Sequence, residues 1–110
     1  MKFECTVQLE GLPDDQFGRL FDLIDGTNEG LGWPPAAWFS MTELGLAGTE
    51  RLMRLTVPAG DVHVAAAAAF SAVWEGLGVC HLEAEGHKTP SSFKDCYPRL
   101  LLVKKLEETS

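Results

Sequence analysis

Phe3, Cys5, Val7 and Leu9 alternate with Glu4, Thr6, Gln8 and Glu10 at the start of the chain, a period of two that predicts a strand with one wet face. Gly11-Leu12-Pro13-Asp14-Asp15 reads as a turn into a helix, with two acids where the helix dipole favours negative charge. Phe17, Leu20, Phe21 and Ile24 then follow at the spacing of one helical stripe, and Gly26 predicts its end. Residues 26–37 contain Gly30, Gly32, Pro34 and Pro35 and read as a loop. An extended pattern resumes from Trp38 to Thr42, and Ala47-Gly48-Thr49 predicts a hairpin turn into a strand from Leu52 to Val57.

Pro58-Ala59-Gly60 breaks that strand, and Asp61 is placed to cap a second helix. Val62, Ala66, Ala69, Phe70, Val73 and Leu77 form its expected core stripe, with Gly76 and Gly78 closing it. Between Val62 and Trp74 only His63 and Ser71 are polar. A helix apolar nearly all round is either packed closely inside the domain, as its alanines allow, or covered by a dimer mate or another partner. Cys80, Leu82 and Ala84 alternate with His81, Glu83 and Glu85, which predicts a further strand. A polar loop from His87 to Cys96 leads to a last strand, Leu100 to Val103, apolar on both faces.

The order of these elements is β-α-β-β-α-β with one strand added at the end. It predicts an α+β fold of the ferredoxin-like kind, with two helices on one face of an antiparallel sheet. The chain has 110 residues, the usual size for one domain, so residues 1–110 are expected to form a single unit. This superfold hosts many unrelated activities, so the architecture carries no function with it.

Charge changes the picture more than composition does. The net charge of −7 belongs to residues 1–50, where nine acids face only Lys2 and Arg19, whereas acids and bases cancel over residues 51–110. Such a balance repels nucleic-acid phosphates and attracts a cationic partner instead. No run approaches the roughly 20 apolar residues expected of a membrane span, and the alternating N-terminus does not resemble an export signal. A cytoplasmic address is therefore expected, and Cys5, Cys80 and Cys96 suit reduced thiols, being odd in number and without framework spacing.

No catalytic constellation emerges. The serines lie in no nucleophile elbow, no CxxC or HxxxH pair occurs, and there is no Walker lysine, so neither a catalytic residue, a metal site nor a cofactor is expected. Cys5 and Cys80 are expected to be buried and Cys96 more exposed. On the predicted open sheet face the first strand offers Glu4, Thr6, Gln8 and Glu10, the fourth His81, Glu83 and Glu85, the third Arg54 and Thr56, and the second Trp38, Ser40 and Thr42. That face lacks the stacking aromatics of an RNA-binding sheet. The candidate partner-binding residues are Glu4, Glu10, Asp14, Asp15, Asp22, Asp25, Glu29, Glu83 and Glu85, together with Trp33, an anchor type held by the following prolines. A plain solvated surface is the alternative for the acids, and folding back onto the core is the alternative for Trp33.

The expected function is accordingly a small acidic protein-binding module. It would act as an inhibitor or adaptor on a basic protein or nucleoprotein surface, in the manner of immunity proteins, antitoxins or phage anti-defence proteins. The other reading is a homodimeric small-molecule-binding protein or enzyme with a pocket on the open sheet face.

Overall fold

The computed structural model describes residues 1–40, 51–86 and 93–106. The N-terminal alternation forms β1 (Lys2–Leu9), whose Phe3, Cys5, Val7 and Leu9 are almost fully buried. Then come α1 (Asp14–Leu31), β2 (Ala37–Ser40), β3 (Arg51–Pro58), α2 (Val62–Gly86), a 3-10 turn at Phe93–Asp95, and β4 (Arg99–Leu106). The four strands make one antiparallel sheet in the order β2-β3-β1-β4. The result is an α+β fold of two helices and a four-stranded sheet.

Register explains where the core lies. Cys5 stands opposite Leu55 on one side and Val103 on the other, and Val7 stands opposite Met53 and Leu100. These side chains share a cluster with Phe17, Leu20 and Ile24 of α1 and with Ala65, Ala69, Val73, Leu77 and Cys80 of α2. α1 lies toward β2, where Phe17 meets Trp38 edge to face at 5.4 Å between ring centroids. α2 lies toward β4: its Trp74 stacks with Tyr97, just before that strand, and the Cys5 thiol donates to the Ala65 carbonyl at 3.7 Å. Asp61 caps α2 as expected, its Oδ1 accepting the Val64 N–H at 2.9 Å.

Several expectations are corrected. α1 does not stop at Gly26; it runs five residues further and ends at Gly32, whose φ of 73° is the left-handed conformation that terminates helices. A glycine inside a helix costs only about 1 kcal/mol and need not end it; the stop comes where the Gly32 and Trp33 N–H groups cap the Glu29 and Asn28 carbonyls. The expected strand over 80–85 is the last part of α2. Val73, Gly76, Leu77 and Cys80 are buried at helical spacing, and that stripe outweighs a short local alternation. No extra C-terminal strand is therefore needed: β4 is the fourth strand of the sheet.

Joining the two segments also produces one 25-residue helix that is, by length and composition, apolar enough to cross a membrane, although one side of it forms the core described above. Dividing it at Gly76 and Gly78 hid that length in the sequence. Trp38 faces the helices and not the far side of the sheet, because it pairs with Met53 in register and touches Phe17. In β4 the pairing slips between Thr6 and Val7, whose partners are Leu102 and Leu100. Leu101 is thus a bulge residue, which is how an unbroken apolar run serves both faces. The expected hairpin turn at 47–49 and Thr42 lie outside the described residues.

Candidate functional site

α1 is built with two unlike sides. Phe17, Leu20, Ile24 and Asn28 are buried on one, and Asp14, Asp15, Asp22, Asp25 and Glu29 fall on the other. At about 100° per residue those five carboxylates occupy an arc of only about 100°. Gly18 and Gly26 lie on or beside the same arc and open onto free space, so no bulky side chain separates the acids. Arg19, the helix's only cation, sits at the margin and forks onto Glu83 of α2, with Nε and Nη2 donating at 2.9 and 2.7 Å. That bond and the Glu83 charge raise the Arg19 pKa, so the guanidinium stays charged.

The ends of this face differ. At the N-terminal end Asp14 is ion-paired with Arg51, whose guanidinium also lies 6.0 Å from the Trp38 ring centroid. A recess of about 410 Å3 opens there, lined by Asp14, Phe17, Gly18, Phe21, Asp22, Trp38 and Arg51. At the C-terminal end Gly32 turns the chain, and the Trp33 N–H donates to the Asn28 carbonyl at 2.8 Å. Trp33 packs partly against the core, and with Asp25, Glu29, Gly32 and Pro35 it lines a second recess of about 400 Å3. Asp25 is tied in by accepting the Ala36 N–H at 3.1 Å. No basic residue occupies the last turn of α1, so Glu29 adds negative charge to the negative end of the helix dipole.

The structure therefore gathers Asp14, Asp15, Asp22, Asp25, Glu29 and Trp33; Glu4, Glu10 and Glu85 lie apart from them, and Glu83 meets only the margin of the face, where Arg19 neutralises it. Glu4 lies on the sheet face away from the helices, where it pairs with Arg54 at 3.2 Å and stands opposite Lys104. Glu10 lies just beyond β1 and accepts from the Gln8 amide at 3.4 Å. Glu83 and Glu85 belong to α2 and not to a sheet strand, and the same holds for His81. On the far sheet face Thr6 and Leu52 are themselves buried, at 8% and 2% exposure.

The three cysteines are free and buried, Cys96 included, which corrects the expectation that it is exposed. Burial raises the pKa of each, that of Cys80 to about 11 with Glu83 adding to the effect and Arg19 opposing it. Among the described residues no group of three His, Cys, Asp or Glu side chains is placed to hold a metal ion.

The sequence left two readings of α2 open, close packing inside the domain or cover by a partner, and the structure leaves one side of the helix exposed. Val64, Phe70, Trp74, Val79 and Leu82 are all exposed there, and Phe70, Trp74 and Tyr97 form successive ring stacks. The absence of polar positions from Val62 to Trp74 was the signal available. Compared with protein-family models, curated proteins and solved structures, the chain matches none.

Proposed function

We propose that this chain is a small acidic binding module, an inhibitor or adaptor that docks the outer face of α1 on a basic, nucleic-acid-binding type of surface of a partner protein. The observation that carries the reading is the single arc of Asp14, Asp15, Asp22, Asp25 and Glu29 ending beside Trp33. Carboxylates spaced along roughly 20 Å of helix offer lysine and arginine side chains repeated partners, much as a phosphate backbone does. Trp33 and Trp38, each beside carboxylates in a recess, add ring faces that guanidinium groups favour. Glu4, Glu10, Glu83 and Glu85 are no part of this surface, and only the α1 acids are retained from the larger expected set.

The order β1-α1-β2-β3-α2-β4, with β1 between β3 and β4 in an antiparallel sheet and both helices feeding one core, supports a ferredoxin-like sandwich as the finer description of the fold. An acidic soluble module of this kind acts inside the cell, and the sheet and helices then serve as a rigid frame for α1.

Capture from the native host tests the reading. Wild-type protein as bait should retain basic proteins or nucleoprotein complexes at about 0.05 M salt and release them by about 0.5 M, where screening is nearly complete. A triple variant, Asp15→Asn with Asp22→Asn and Glu29→Gln, should retain none of them. Equal retention by that variant, or retention indifferent to salt, removes the proposal.

A further inference from the structure

The outward side of α2 repeats at the spacing of a helix seam. Val64, Ala67, Ser71, Trp74 and Gly78 recur at alternating intervals of three and four residues, and all five are exposed. One bulky residue, Trp74, stands among small ones. The order is also self-complementary. A two-fold axis beside residues 72 and 73, with a second α2 running antiparallel, sets Trp74 against the second copy's Ser71 and Ala67 against its Gly78. Val64 then meets the second copy's Leu82. Every large group finds a small or fitting one, and backbones can approach to the 8–10 Å of packed helices.

Polarity agrees with this register. Glu75, the one acid near the middle of the seam, comes beside the second copy's Ser71, whose hydroxyl can donate to it. The α1 acids lie toward β2, on the other side of the helix layer, so two copies joined through α2 keep those charges apart.

Area decides whether such contact is enough. Phe70, Trp74 and Tyr97 are 37%, 50% and 67% exposed, which amounts to about 300 Å2 for rings of this size. Val64, Val79 and Leu82 contribute nearly as much again, given their exposure of 43–71%. About 600 Å2 per copy, or about 1,200 Å2 in all, reaches the lower bound of standard specific interfaces. It is also at the top of what a typical monomer leaves exposed.

We infer that α2 is the interface of a two-fold homodimer, two copies packing antiparallel through Ala67, Ser71, Trp74 and Gly78. The inference uses none of the α1 acids and stands apart from the function proposed above.

Sedimentation velocity from about 1 to about 200 µM, the range in which an interface of this size titrates, tests it. The wild type should move from 12.0 kDa toward twice that mass. Trp74→Lys and Gly78→Gln should remain monomeric throughout. Among the described residues nothing lies within 4 Å of a Cβ at Gly78, and glutamine is the better helix former, so Gly78→Gln should keep the wild-type circular dichroism and melt no lower. Loss of dimer in that variant thus reports on the interface and not on folding. A wild type that stays at monomer mass, or a Gly78→Gln protein that still dimerises, overturns the inference. So does a monomer that instead co-sediments through Trp74 with vesicles of phosphatidylcholine and phosphatidylglycerol.

Discussion

Gly76 of α2 lies directly against Leu20 of α1: a Cβ on Gly76 would stand 3.0 Å from Leu20 Cδ1 and 3.2 Å from Ile24 Cγ1. Leu20 and Ile24 are fully buried, at 0% and 1% exposure, so neither has free space into which it can turn. The glycine sets how closely the two helices approach. Two residues on, a Cβ at Gly78 would meet none of the described residues within 4 Å.

The two positions should respond to alanine in opposite directions. Gly78→Ala is expected to stabilise by about 0.5–1 kcal/mol, the gain in helix propensity alone. Gly76→Ala makes the same gain but forces a packed contact, which costs about 1–3 kcal/mol, so a net loss of about 1 kcal/mol follows. Urea unfolding of both variants measures the difference; equal stabilisation would show that Leu20 yields freely.

This pair also shows what the sequence could and could not disclose. β1, β3 and the start of each helix were legible because alternation, the Phe17–Leu20–Ile24 stripe and the Asp61 cap are local signals. The far ends of both helices were not. Gly76 and Gly78 read alike as stops, yet one is a close contact between helices distant in sequence and the other a solvent-facing position. Once α2 was broken there, Cys80 to Glu85 matched a strand by chance and carried Glu83 onto the wrong element. The acidic face was half legible for the same reason: charge asymmetry pointed to the first fifty residues, but only the continuation of α1 past Gly26 aligns Glu29 with Asp22 and Asp25. Trp38 was placed on the wrong face because a single aromatic in a short strand carries no phase of its own, and contact with Phe17 decides it.

Asn28 is 0% exposed, and among the described residues neither its Oδ1 nor its Nδ2 has a hydrogen-bond partner. Burying both ends of an amide unpaired costs about 1–3 kcal/mol relative to an apolar side chain of similar size. Asn28→Leu should therefore raise stability by about 1–2 kcal/mol, seen as a later urea midpoint with an unchanged slope. A lowered midpoint would mean that the amide holds a buried water whose removal costs more than it returns.

The bulge in β4 makes an unusual deletion tolerable. Removing any one of Leu100, Leu101 and Leu102 yields the same chain, in which a leucine opposite Val7 is followed directly by one opposite Thr6. Every side chain on either flank keeps its face, because the lost residue is the unpaired one. The deletion should fold with a stability change within about 1 kcal/mol. Deleting Lys104, which stands in a regular part of the ladder, reverses the face of the residues beyond it and should cost more. Thermal melts of the two deletions compare them, and equal damage would sink the bulge assignment.

Alkaline pH should find the thiols. In the folded protein burial holds Cys80 protonated up to about 11, whereas the exposed thiol of the unfolded chain titrates near 9.0. Between those values the unfolded chain binds fewer protons than the folded one, so stability falls as pH rises; below about 9 both states are protonated and the effect is fully present. Cys5 and Cys96, also raised by burial, act in the same direction. Lysine and tyrosine titration overlaps this range, so the informative quantity is a difference. Urea midpoints of the wild type and of Cys80→Ala should run parallel from about pH 7 to about pH 9 and converge above it, as the wild type alone loses the Cys80 contribution. Curves that stay parallel through about pH 11 would place the Cys80 thiol in contact with water.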